Sequence, residues 1–243
     1  MKNIFLFLLV IASLTACHRP LHVLKTSSEI IMVNSTLDAI QDTAYTTYIV
    51  PIKEELESKL NIPIGYAPEM MTVRQPECNM LNWASDALFA MAQQYYPSKV
   101  DMAVVNIDGM RSEWTVGDIT QRHIFELMPF DNELVVLTMT GENVLRLCQS
   151  CIKRGGEGVA GLRIKARNGQ LISATIDGKT IVPTNYYTVA TSDYLSQGND
   201  GLTPLRDHEE LWRSEEKIRD LYIAYVQQVK TVQAKVDGRM DIR

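Results

Sequence analysis

Residues 101–111, Asp-Met-Ala-Val-Val-Asn-Ile-Asp-Gly-Met-Arg, place three chemically able side chains just past an apolar run. Asn106 can donate and accept, Asp108 can accept, and Arg111 offers a planar fork that matches phosphate oxygens. Residues 102–105 have the length and β-branched content of a strand buried on both faces, and Asn-Ile-Asp-Gly has the composition of a sharp turn. A buried strand that delivers polar side chains to one edge of a sheet is a common way to build a ligand site. The same residues also fit an ordinary strand–loop connection with a solvated arginine. A second polar loop, residues 193–201, reads Asp-Tyr-Leu-Ser-Gln-Gly-Asn-Asp-Gly and follows another strand pattern at 186–190.

Other chemistry is missing. Hydrolysis at a metal centre needs histidines and carboxylates at ligand spacing. The chain has four histidines: His18 and His22 near the start, His123 alone in its segment, and His208 beside Glu209-Glu210. There is no H-E-x-x-H, no G-x-x-x-x-G-K-[ST] and no G-x-S-x-G. No catalytic residue and no metal ligand is expected in this chain, and His123 reads as a packing or surface residue. Cys148 and Cys151 are spaced C-x-x-C but lie toward the end of a helical pattern without a thioredoxin-like flank, so with Cys78 they read as mainly structural.

The elements that must carry these loops follow from periodicity. Residues 77–95 form the clearest helix, with Met80, Leu81, Ala84, Ala87, Leu88, Met91 and Ala92 on one stripe. Further helices are expected from about 37, over 53–60, 120–127, 142–151 and 209–232. Pro51 marks a kink or a fresh helix start after the β-branched residues 45–50. Residues 61–68 read as a loop, Gly117-Asp118 as a turn, and Gly155, Gly156 and Gly158 as a flexible loop. Strands are expected at 133–139, 162–166, 171–176, 179–182 and 186–190, with Asn168-Gly169 and Asp177-Gly178 as hairpin turns. Helices interleaved with strands early, and hairpins late, predict an α+β fold of mixed sheets layered with helices.

A chain of 243 residues with 46% hydrophobic and 22% charged residues belongs to a folded domain. Its net charge of −5 disfavours a nucleic-acid polymer as partner, which would need a basic surface. The N-terminus is short and basic, then apolar over 4–12, then small before Cys17; the apolar run is too short for a good membrane span. Leu14-Thr15-Ala16-Cys17 resembles a bacterial lipoprotein box. The expectation is a signal peptide over 1–16, lipidation at Cys17, a tether over 17–37 and one domain over 38–243, held in the cell envelope on the extracytoplasmic side of a membrane.

Five segments together resemble the C-terminal, substrate-recognising domain of the 5′-nucleotidase/UDP-sugar hydrolase family. They are Arg74-Gln75-Pro76-Glu77-Cys78-Asn79-Met80 with Asp86-Ala87-Leu88; Val105-Asn106-Ile107-Asp108-Gly109-Met110-Arg111 against N-G-G-x-I-R; Met128-Pro129-Phe130-Asp131-Asn132 against P-F-G-N; Val159-Ala160-Gly161-Leu162-Arg163 against S-G-L-R; and residues 187–201 against Y-x-V-A-x-x-x-F/Y-L-x-x-G-G-D-G. They occur in family order and cover about 38–243. The resemblance implies that Phe130 and Tyr194 stack on a base, Asp200 meets ribose hydroxyls, Arg74 and Arg111 meet the phosphate with Asn106, and Asn132 meets the base edge. In that family a separate metallophosphatase domain carries the metals and the catalytic pair. This chain is therefore expected to be the nucleotide- or nucleoside-recognising half of a phosphohydrolase, inactive alone, with divalent metals only in a partner metallophosphatase chain. A nucleoside-binding lipoprotein without enzyme partner, and a scaffold that has lost its ligand, are the alternatives. Ile107-Asp108 stands where the family has two glycines, which removes free access to positive φ and adds a negative charge beside the phosphate position. Asn199 replaces one glycine of G-G-D-G, a milder change.

Overall fold

The computed structural model describes residues 23, 25–35, 37 and 42–243. The signal segment, His18, His22, Cys17 and most of the helix expected from 37 lie outside the described residues. Residues 1–50 and 51–243 form two units. In the first, residues 25–33 have no regular structure and are exposed. Helix α1, Thr43–Leu60, runs without a break through Pro51 and buries no residue; of the two alternatives at Pro51, a fresh helix start is overturned, since the helix already runs from Thr43. None of the described helices is long and apolar enough to cross a membrane.

The second unit continues with β1 (Pro63–Ala67), α2 (Asn79–Tyr95), β2 (Met102–Val105), β3 (Gly117–Thr120), α3 (Gln121–Leu127), β4 (Glu133–Thr140), α4 (Gly141–Lys153), β5 (Gly158–Ala160), β6 (Leu162–Arg167), β7 (Gln170–Ile176), β8 (Lys179–Thr180), β9 (Tyr186–Ser192), α5 (Asp193–Ser196), β10 (Glu210–Lys217), α6 (Ile218–Val229) and β11 (Met240–Ile242). A mixed five-stranded sheet, ordered β10-β4-β9-β2-β5, is the centre. Strands β2 and β9 run parallel, and β4 runs antiparallel to β9. A second sheet, β11-β6-β7-β8, and the pair β1-β3 complete the strands.

The central sheet is apolar on both faces because each face has its own cover. Ala103, Val105, Leu134 and Val136 pack with α2 and α6, around Trp83, Trp114 and Tyr222. Met102, Val104, Val135 and Leu137 pack into the other core with α4 and the second sheet. Strand β2 is buried at all four positions, as its continuous run requires. Helix α2 starts at Cys78, whose Sγ accepts from the Leu81 N–H at 3.4 Å. Asn168-Gly169 and Asp177-Gly178 all have positive φ, which is the backbone that two-residue hairpin turns need.

Three expectations fail. The residue 61–68 loop is strand β1, paired with β3, and β3 begins at the Gly117-Asp118 expected as a turn. A Cβ on Gly65 would lie 2.6 Å from Val226 Cγ1, so glycine here permits close packing of a strand rather than a loop. Residues 209–232 are not one helix: 210–217 form edge strand β10 against β4, and α6 starts only at Ile218. The helix-forming charged residues there serve a sheet edge, where charge is tolerated and guards against further pairing. Strand β11, parallel to β6, was not expected at all.

Candidate nucleotide-binding pocket

Because β2 and β9 are parallel and β4 opposes β9, the carboxyl ends of the first two and the start of the third share one edge of the central sheet; Leu134 faces Ser192. The loops that leave this edge enclose a cavity of about 540 Å³, within the usual range for small-molecule sites. After β2 come Asn106, Asp108, Gly109 and Arg111; before β4 come Met128 to Asn132; β9 ends in Ser192, and Tyr194 and Asp200 follow it. Six sequence-selected residues, Asn106, Arg111, Phe130, Asn132, Tyr194 and Asp200, thus meet in one pocket. Arg74 does not: it is exposed and lines a different hollow with Glu69, Thr72 and Glu77.

Residues 107–109 form a short 3₁₀ turn. Neither Ile107 nor Asp108 has positive φ, so the loss of two glycines is absorbed by a turn that side chains can adopt. Gly109 is needed for a different reason: a Cβ there would lie 2.7 Å from Asn106 Oδ1. Asn106 is buried, and its Nδ2 donates to Asp200 Oδ2 at 2.5 Å. The Tyr194 hydroxyl donates to Asp200 Oδ1 at 2.9 Å. This hydrogen bond, with some burial and the charges of Asp200 and Asp108, raises the Tyr194 pKa. Both donors hold Asp200 in a left-handed backbone, φ 51°, which acidic residues tolerate. In the same turn Gly198 and Gly201 have positive φ and Asn199 does not, so the glycine it replaces was not needed for backbone reasons.

The aromatic pair stays accessible, Phe130 at 36% and Tyr194 at 41%. The Arg111 guanidinium carbon lies 5.4 Å from the Phe130 ring centre and has no carboxylate partner among the described residues. Asn132 Nδ2 donates to Asp193 Oδ1 at 3.1 Å, and the same oxygen accepts the Glu133 and Tyr194 N–H groups. Asp131 is tied to Lys217 at 3.0 Å and Arg219 at 2.7 Å; hydrogen bonds to these two cations hold its pKa down.

Two residues of the site escaped sequence reasoning. Arg154 donates to Asp108 Oδ2 at 2.5 Å and pairs with Glu157, whose Oε2 accepts the Ile107 N–H at 2.6 Å. The negative charge introduced by Asp108 therefore meets a cation. The available signal was the loop of Gly155, Gly156 and Gly158 around the charged Glu157, which reads as flexible but is closely packed: a Cβ on Gly156 would sit 2.2 Å from Pro76 O. Among the described residues no group of three His, Cys, Asp or Glu side chains could hold a metal. His123 Nδ1 accepts the Thr120 N–H at 3.0 Å and caps α3, and His208 Nδ1 lies 2.9 Å from Leu205 O. Cys78, Cys148 and Cys151 are free and buried.

The chain is 24% identical over 194 residues to a 5′-nucleotidase of Vibrio cholerae, covering 76% of this chain and 34% of that protein. It is 27% identical over 177 residues to the trifunctional nucleotide phosphoesterase protein YfkN of Bacillus subtilis, covering 61% of this chain and 12% of the relative. The chain thus spans about a third or less of the length of these relatives. Its fold is similar to a 5′-nucleotidase precursor from Thermus thermophilus, with TM-score 0.73 and 19% identity over 83% of this chain and 43% of that one. It is also similar to the NAD nucleotidase of Haemophilus influenzae, with TM-score 0.65 and 17% identity over 83% and 41% of the two chains. Residues 63–207 match the family described as 5′-nucleotidase, C-terminal domain, and the chain belongs to that family.

Proposed function

We propose that this chain recognises a nucleotide or nucleoside for a 5′-nucleotidase-type phosphohydrolase and completes the site of a metallophosphatase carried on a separate chain. The observation that carries the proposal is the convergence of two accessible aromatic rings, a guanidinium without a carboxylate partner among the described residues, and a braced carboxylate on one cavity. Aromatic faces stack on any base for roughly 1–3 kcal/mol each. Arg111 suits phosphate oxygens, and Asp200 suits hydroxyl donors of a ribose. Arg74, outside the cavity, has no part in this reading unless a partner chain brings phosphate to it. Divalent metals would sit in the partner. The chain would act outside the cytoplasm, lipidated at Cys17 and tethered to a membrane of the cell envelope.

The test is AMP hydrolysis by the purified chain alone and mixed with the metallophosphatase encoded nearest to it. No turnover alone, and turnover on mixing that falls when Arg111 becomes alanine, is expected. Hydrolysis by this chain alone that survives Arg111→Ala would refute the proposal. If Phe130→Ala and Tyr194→Ala left every binding signal unchanged, the scaffold reading would replace it.

A further inference from the structure

One charged side chain in the cavity has no counterpart in the motif that the loop resembles. Asp108 lines the pocket with its side chain 64% exposed. An exposed acid on a surface is ordinarily solvated and its ion pairs weak. Asp108 is instead fixed from a buried anchor. Its Oδ2 accepts from Arg154 Nη2 at 2.5 Å, Arg154 Nε pairs with Glu157, and the Glu157 side chain is fully buried. Glu157 Oε2 then accepts the N–H of Ile107, which closes the ring one residue before Asp108. The stem of Arg154 also lies beside the opposing loop: a Cβ added to Gly201, next to Asp200, would come within 3.6 Å of its Cδ. Asp108 Oδ1 is left without a hydrogen-bond partner among the described residues.

The charge balance of the pocket is lopsided as a result. Asp108 and Glu157 share the cation Arg154, and Asp200 is held by the neutral donors Asn106 and Tyr194, whereas Arg111 has no carboxylate partner among the described residues. We propose that Asp108, positioned by Arg154, is a specificity residue: it accepts a hydrogen bond from the ligand beside Asp200 and repels a second anionic group there. The pocket then takes a ribonucleoside or its 5′-monophosphate with both vicinal hydroxyls free, and rejects the same ligand phosphorylated on that diol. This rests on the nucleotide reading above and names the substrate class within it.

The experiment is calorimetric titration of the full chain with adenosine 5′-monophosphate and with adenosine 3′,5′-bisphosphate. The native chain should prefer the monophosphate by about tenfold, the scale expected for one like-charge contact near a protein surface. Asp108→Asn, which keeps the shape and removes the charge, should bring the ratio close to unity. Asp108→Gly is a second variant, and Arg154→Met should shift the ratio in the same direction by releasing Asp108. A ratio unchanged in Asp108→Asn and Asp108→Gly overturns the inference and leaves the nucleotide reading intact. Failure of the native chain to bind either ligand overturns that reading, and the inference with it.

Discussion

Arg154 and Arg239 each sit between two carboxylates, yet they shape different parts of the molecule. Arg239 binds Asp86 with both terminal nitrogens, at 2.6 and 3.2 Å, and Asp237 at 3.1 Å, and its Nη1 also donates to the Val159 carbonyl at 3.0 Å. Glu77 closes the same region by accepting the N–H groups of Asp237 and Gly238. That cluster uses its donors internally and pins the residues leading to β11. Arg154 is pinned in the same manner by Glu157, but its second partner, Asp108, keeps one oxygen open to a cavity. A charge network that closes on itself is architecture; one that leaves a group free at a pocket is a candidate for recognition.

The comparison breaks most readily at Arg239. Arg239→Ala should cost about 2–3 kcal/mol in urea denaturation, less than a fully buried pair would, because Asp86 is partly exposed. Ligand binding by the surviving folded fraction should stay within about twofold of native, since no side chain of that cluster lines the cavity. A variant that loses binding but no stability would reverse the assignment of the two clusters.

At the pocket the effects should run the other way. Phe130→Ala and Tyr194→Ala should each weaken nucleotide binding by about 2 kcal/mol while barely moving the denaturation midpoint, because both rings are more than a third exposed. Equal losses of stability and affinity would mean that the rings hold the loops rather than the ligand.

A pH titration probes the helix that links the pocket to the interior, since Arg154 is the C-cap of α4 and Cys148 and Cys151 are buried within it. Burial pushes the Cys148 thiol up to about 12, and Cys151 rises for the same reason. Well below the ordinary thiol range, under about pH 7.5, both are neutral in native and unfolded chains and nothing changes. Above it the unfolded chain releases protons that the native one retains, so stability must fall as pH rises toward 12. A loss of about 1.4 kcal/mol per thiol by pH 10 is expected, and both thiols should resist alkylating reagents at pH 8 until the chain is unfolded. Rapid labelling of the native protein would show that α4 is looser than its packing implies.

The smallest expected effect is Tyr194→Phe, which removes one donor from Asp200 and keeps the ring. About 0.5–1 kcal/mol of affinity should go for a ribonucleoside and less for its deoxy analogue. No difference between the two ligands would separate Tyr194 from the ribose end of the pocket.

Much of this was legible beforehand where the determinants are local. Residues 102–105 had to be a doubly covered strand because nothing in them is polar, and Asn168-Gly169 and Asp177-Gly178 announced their hairpins through the backbone they favour. Residues 210–217 failed because helix propensity and edge-strand composition overlap when charges dominate, and the choice belonged to an open edge of β4 far away in the chain. The site divided along the same line. Asn106, Arg111, Phe130, Asn132, Tyr194 and Asp200 could be named from loop chemistry and motif resemblance, whereas Arg154 lies 46 residues from Asp108 in a loop whose glycines suggested mobility.

By itself, then, the sequence determined the α+β class, the strands that carry the polar loops and the chemical types those loops present, because these depend on patterning and backbone preference over a few residues. Only the tertiary structure decided that six of the selected residues share a cavity and Arg74 does not, and that Asp108 is held by a buried ion pair. Those outcomes depend on strand order and on side chains that meet across long separations, and no local preference encodes them.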